Sequence, residues 1–110
     1  MSIADFHSHT NHSDGLLTPS ELITLAAKNK VRYLAITDHD TIDGIKEAKK
    51  IAKKQTNIQI ISGIELSVDL LNEDIHILGI GIDEYNKKLI SELSMLKAAR
   101  EVRAKKIIET

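Results

Sequence analysis

Residues 31–37 and 58–68 are two apolar stretches rich in β-branched side chains, and the segment between them is patterned at helical spacing. A helix between two strands makes a crossover, so the strands must lie parallel with the helix packed on a sheet face. That unit commits the chain to an α/β sheet. Around it, residues 3–7 read as a short opening strand and residues 11–15 as a polar loop. Thr18-Pro19-Ser20-Glu21 reads as a helix start with a cap, a proline in the first turn and a capping-box glutamate. Leu22, Leu25 and Ala26 give that helix its apolar stripe. Asp38-His39-Asp40-Thr41 closes the second strand and caps the next helix, where Ile45, Ala48, Ile51 and Ala52 face inward. Lys46, Lys49, Lys50, Lys53 and Lys54 cover the rest of that helix and read as a solvated face.

Residues 58–68, nearly continuous in apolar character, are expected to be buried on both faces. A fourth strand spans residues 75–82, and the joint at 69–74 is too short for a crossover helix, so a hairpin or an extended excursion must serve. A last helix runs from about Lys87 to the end, with Leu89, Leu93, Leu96 and Ala99 expected on its buried side. The order is β-α-β-α-β-β-α.

Composition narrows the function classes. The 110 residues fit one domain, and 15 Lys+Arg against 16 Asp+Glu give a net charge of −1, which argues against a coat for duplex DNA. With 42 % hydrophobic but only 3 % aromatic residues, the core must be aliphatic. There is no cysteine, hence no disulfide framework, thiolate zinc site or thiol nucleophile. The N-terminus has no signal-peptide pattern and no apolar run suits a bilayer, so a cytoplasmic protein without membrane contact is expected. A closed (β/α) barrel takes about 250 residues. The last helix also has no Gly or Pro stop, so residues 1–110 read as the N-terminal portion of a longer domain, truncated at its C-terminus.

The chemistry sits where strands begin or end. His7 and His9 close the first strand, two apart and therefore on one face, with Asp14 in the following loop. Asp38, His39 and Asp40 close the second strand, Glu65 lies late in the third and His76 early in the fourth. Ligands of parallel α/β sheets bind at the carboxyl ends of the strands. Ionisable groups gathered there would be costly to bury unless cations lay between them. His, Asp and Glu without thiolate suit Zn, Mn or Fe(II). Six candidates (His7, His9, Asp14, His39, Glu65 and His76) exceed the needs of one tetrahedral ion and argue for two or more. Metals about 3.5–4 Å apart can clamp a displacement at phosphorus. Taken singly, each signal is weak: His-x-His occurs harmlessly in strands, Asp-His-Asp can be a helix cap, and His76 alone reads as a core histidine.

Asp5-Phe6-His7-Ser8-His9-Thr10 with Ser13-Asp14-Gly15 resembles the first motif of the PHP (polymerase and histidinol phosphatase) family of metal-dependent phosphoesterases. Ala35-Ile36-Thr37-Asp38-His39-Asp40-Thr41 with Gly44 resembles the second, Ser62-Gly63-Ile64-Glu65-Leu66-Ser67 the third, and Ile75-His76-Ile77-Leu78-Gly79 the histidine segment that follows. The resemblance implies a distorted (β/α)7 TIM-like barrel, of which this chain would be the N-terminal half. It also implies a phosphoric ester hydrolase with two or three divalent ions (Mn, Zn or Fe) that works through a metal-bound hydroxide.

Carried over by position, His7, His9 and Glu65 would hold one ion, Glu65 and His76 a second, and Asp14 with His39 a third. Asp14 stands where histidinol-phosphatase-like members often have histidine. The resemblance therefore favours the branch of nucleoside 3',5'-bisphosphate phosphatases and 5'-3' exoribonucleases, with small nucleotides or short RNA 5' ends as substrates. Asp5, Asp38 and Asp40 would orient ligands or hydrogen-bond metal-bound water. Arg100 and Arg103 match an arginine pair common in that branch. They either grip a substrate phosphate or lie on the solvent face of the last helix, and both readings stay open. His12 is an extra loop histidine near the site mouth. One alternative is a histidinol-phosphate-type phosphatase; another, because the family's later ligand motifs have no counterpart after His76, is a non-catalytic metal-binding fragment or assembly module. An open half-barrel would also expose edges and self-associate.

Overall fold

A computed structural model describes the backbone of residues 3–55 and 57–109, and the side chains of these except 55, 70 and 103–109. Seven elements follow the expected order: β1 (Ala4–Asp5), α1 (Pro19–Lys28), β2 (Tyr33–Ile36), α2 (Asp43–Gln55), β3 (Gln59–Leu70), β4 (Glu73–Ile80) and α3 (Lys87–Glu109). The strands form one sheet in the order β1-β2-β3-β4. β1 pairs parallel with β2 and β2 with β3, placing Leu34 beside Ile60 and Ile36 beside Ser62. β4 returns antiparallel to β3, with Glu65 opposite Leu78 and Ser67 opposite His76. The joint at 69–74 is thus a hairpin.

Local chemistry accounts for the elements. Thr18 Oγ1 accepts the Glu21 N–H while the Glu21 carboxylate accepts the Thr18 N–H, a complete capping box with Pro19 at the helix start. Thr41 Oγ1 accepts the Asp43 N–H and starts α2. The core is aliphatic: Ile23 and Ala26 of α1, Leu34 and Ile36 of β2, Ile45, Ala48 and Ala52 of α2, Ile58 just before β3 and Ile60 within it. Each fully buried Ile or Leu contributes about 1.5–3 kcal/mol. No helix among the described residues is long and apolar enough to cross a membrane.

Five expectations are corrected. β4 runs Glu73–Ile80 and not 75–82, because the tight turn lets pairing begin at Leu70–Glu73, and Leu25 of α1 is exposed, because Ile23 and Ala26 take the buried face. The opening strand pairs only at Ala4–Asp5, because past Asp5 the chain turns from ladder bonds to side-chain bonds. β3 is buried from Ser62 to Glu65, but 66–68 are half-buried and Asp69 is exposed, since β2 ends opposite Ser62 and only β4 flanks the rest. On α3, Leu93 is buried, Leu89 is half-buried, and Leu96 and Ala99 are exposed, because α3 packs only thinly on the other elements.

Candidate metal centre

The segment after β1 owes its position to side chains at the end of β2. Ser8 N–H donates to Thr37 Oγ1 (3.1 Å), Thr37 N–H donates to the Ser8 carbonyl (2.8 Å), and Ser8 Oγ donates to the Ala35 carbonyl (2.5 Å). Docking Ser8 inward throws His7 and His9, its neighbours on either side, to one side together. Their Nε2 atoms lie 3.2 Å apart. Asp5 helps by accepting the His7 N–H (3.1 Å). Gly15 is obligatory in the loop beyond, since a Cβ there would sit 2.4 Å from the His9 carbonyl oxygen.

His39 and Glu65 meet because they pair across a single parallel bridge beyond the regular part of β2, with Glu65 N–H donating to the Asp38 carbonyl and Asp40 N–H to the Glu65 carbonyl. His76 reaches the same face of the hairpin two residues from Leu78, the direct partner of Glu65. Four imidazoles therefore surround one buried carboxylate. Glu65 Oε1 lies 2.5 Å from His7 Nε2 and 3.3 Å from His9 Nε2. Glu65 Oε2 lies 2.8 Å from His76 Nδ1 and 3.3 Å from His39 Nδ1. Asp14 joins through His9 Nδ1 (2.6 Å) and His39 Nε2 (3.1 Å).

Three sets of ligand atoms each lie within 4.8 Å of one another: His7, His9 and Glu65; His9, Asp14 and His39; and His39, Glu65 and His76. All six residues named from the sequence as ligand candidates are thus brought together. Burial would push the Glu65 carboxyl up, but contacts with His7 and His9 and the charge of His39 outweigh it and hold it below its ordinary range. Contact with His9 likewise lowers Asp14. The ligand atoms of two carboxylates and four imidazoles converge there. A divalent cation fits that donor set.

The neighbouring acids have other partners. Asp38, 1 % exposed, accepts from Thr10 N–H (2.5 Å), Thr10 Oγ1 (2.6 Å) and Ser13 Oγ (2.8 Å), so it pins the histidine-bearing loop. Asp40 accepts the Ser67 N–H (2.9 Å) and is bonded to Arg100, which ties α3 to β3. Burial would raise Asp40, but the bonds from Arg100 and Ser67 prevail and lower it. The Arg103 side chain lies outside the described residues. His12 stands on the loop with Nε2 3.1 Å from Glu47 of α2.

Two residues with a bearing on the site were not legible beforehand. Asp74 Oδ2 stands 3.4 Å from His76 Nε2, backing that ring across the hairpin. Glu84, 5 % exposed, is held by Lys49 and by Ser62 Oγ (2.7 Å). Its signal was an acid directly after an apolar strand, as at the other strand ends. Lys49 therefore does more than line a solvated face. A cavity of about 580 Å³ adjoins the centre at His39 and is lined further by Asp40, Lys46, Lys97, Arg100 and Glu84.

The chain is 44 % identical to a 5'-3' exoribonuclease of Haemophilus influenzae over 94 % of its length, and 37 % identical to a 3',5'-nucleoside bisphosphate phosphatase of Chromobacterium violaceum over 97 %. It spans 37 % of the length of each. A solved Chromobacterium violaceum structure, described as an amidohydrolase with bound sulfate and no metal, superposes with a TM-score of 0.84 at 38 % identity, over 94 % of this chain and 36 % of the other. The PHP domain profile matches residues 5–108, and the chain belongs to the PHP domain family.

Proposed function

We propose that this chain carries the larger part of a divalent-metal centre that hydrolyses phosphate esters of small nucleotides or of short RNA 5' ends. One observation carries the reading: the two oxygens of Glu65 serve separate imidazole pairs, Oε1 facing His7 and His9 and Oε2 facing His39 and His76. Glu65 with His7, His9, His39 and His76 would hold divalent ions there, and Asp14 with His39 would offer further ligands. Divalent ions bound there supply positive charge for the phosphoryl oxygens and lower the pKa of water. His9 Nδ1 and His76 Nε2 face Asp14 and Asp74, so a proton on those atoms leaves His9 Nε2 and His76 Nδ1 as free lone pairs toward Glu65. Asp38 keeps the His7–His9 loop in register, and Arg100 has guanidinium N–H groups beyond the one given to Asp40 with which to meet a phosphate.

The names of the relatives, a bisphosphate phosphatase and an exoribonuclease, support this substrate class. A cytoplasmic location and self-association through exposed sheet surface belong to the same reading.

The test is phosphate release from a nucleoside 3',5'-bisphosphate, and mononucleotide release from 5'-phosphorylated RNA, by the complete polypeptide its gene encodes with Mn(II), Zn(II) or Fe(II). Glu65→Gln is expected to lower kcat/KM by about 100-fold or more and to abolish the rise in Tm that metal gives the wild type. Activity on neither substrate with any of these ions, or an E65Q variant equal to wild type, overturns the reading.

A further inference from the structure

We infer that Tyr85 and Lys46 form a subsite for the second nucleotide of a single-stranded RNA, an inference that rests on the nucleotide reading above. The cavity beside His39 holds about 580 Å³, the size of a site for one small ligand, so a longer strand must leave over the rim. Lys46 lines that cavity, and its Nζ stands 4.9 Å from the centroid of the Tyr85 ring. Tyr85 is 63 % exposed. Tyr85 is joined to the cavity rim through its contact with Lys46, a contact that the exposed rings of Phe6 and Tyr33 do not make with a lysine of the lining.

The platform is held in place. Asp83 Oδ1 accepts the Tyr85 N–H (3.0 Å), the Asp83 carbonyl accepts the Asn86 N–H (3.2 Å), and Asn86 Oδ1 caps α3 by accepting the Leu89 N–H (3.0 Å). A cation between a cavity and an exposed ring offers partners to successive parts of a strand: the linking phosphate meets Lys46 and the next base stacks on Tyr85. Such stacking tolerates any base, because every base has a π-face.

The experiment compares adenosine 3',5'-bisphosphate with a 5'-phosphorylated RNA pentamer as substrates of the complete polypeptide. It adds the fluorescence anisotropy of a labelled pentamer with phosphorothioate linkages. Tyr85→Ala should raise the pentamer KM about tenfold and leave the bisphosphate KM within about twofold, while Tyr85→Phe keeps both. A pentamer KM unchanged in Y85A, or an equal rise for both substrates, overturns the inference. If the wild type turns over neither substrate, the proposed function fails and anisotropy decides alone. Weaker pentamer binding by Y85A then sustains the subsite, and equal binding removes it.

Discussion

Glu84 shows how much one side chain can tie together. Its buried carboxylate joins Lys49 of α2 to Ser62 of β3 from the turn that precedes α3. Burial would raise its pKa, but the bonds from Lys49 and Ser62 prevail and hold it below the ordinary glutamate value of 4.5. The unfolded chain therefore binds a proton at higher pH than the folded one. The stabilisation is complete above about pH 4.5 and is lost as pH falls through the lower folded value. Glu84→Gln is expected to cost about 1–3 kcal/mol at neutral pH, with the gap to wild type closing toward pH 3. Urea unfolding of both proteins between pH 7 and pH 3 checks this, and a gap that stays constant refutes it. Asp38 and Asp40 teach a related lesson. Beside His39, their oxygens hold backbone, hydroxyls and a guanidinium from other segments. Those partners lie far along the chain, where local spacing carries no information.

Among the elements, the β3–β4 hairpin carries the clearest local conflict. Its two turn residues, Leu71 and Asn72, both have positive φ (52° and 66°), the geometry of a type I′ turn. Asn accepts that conformation easily, but Leu does not, and Leu71 is also 90 % exposed. The double change Leu71→Asn with Asn72→Gly restores the residues this turn favours and should stabilise the chain by about 1 kcal/mol, read from the urea midpoint. A midpoint that falls would show that Leu71 has a packing role. The helices were legible: α1 starts at the capping box read from Thr18 and Glu21, and α2 turns Ile45, Ala48 and Ala52 inward as their spacing required. The hairpin turn escaped because Leu71 is no turn former. The His7–His9 pair shared a side as expected, but for a different reason, with Ser8 docked on Thr37 instead of a strand pleat.

At the scale of the whole molecule the sheet is open. The radius of gyration is 15.3 Å, against about 13 Å for a compact chain of this length. β4 ends the sheet with Ile77, Leu78 and Ile80 at 41–52 % exposure, and α3 exposes Met95 and Leu96. An unpaired edge strand with apolar side chains invites pairing between copies. Sedimentation of the 110-residue chain is expected to show mass rising with concentration, and Ile77→Lys should shift it toward monomer. A single monomeric species across the micromolar range would rule this out.

The order of strands and helices, the aliphatic core and the list of ionisable candidates could all be read from residue types and their spacing. Each of those follows from interactions within a few positions along the chain. The centre itself came from folding, because His7 and Glu65 are 58 positions apart and meet only through the parallel pairing of β2 with β3 and the docking of Ser8. The same holds for Asp74 behind His76 and for Glu84 beneath the cavity. Such convergence depends on register between distant segments, which spacing along one segment does not encode.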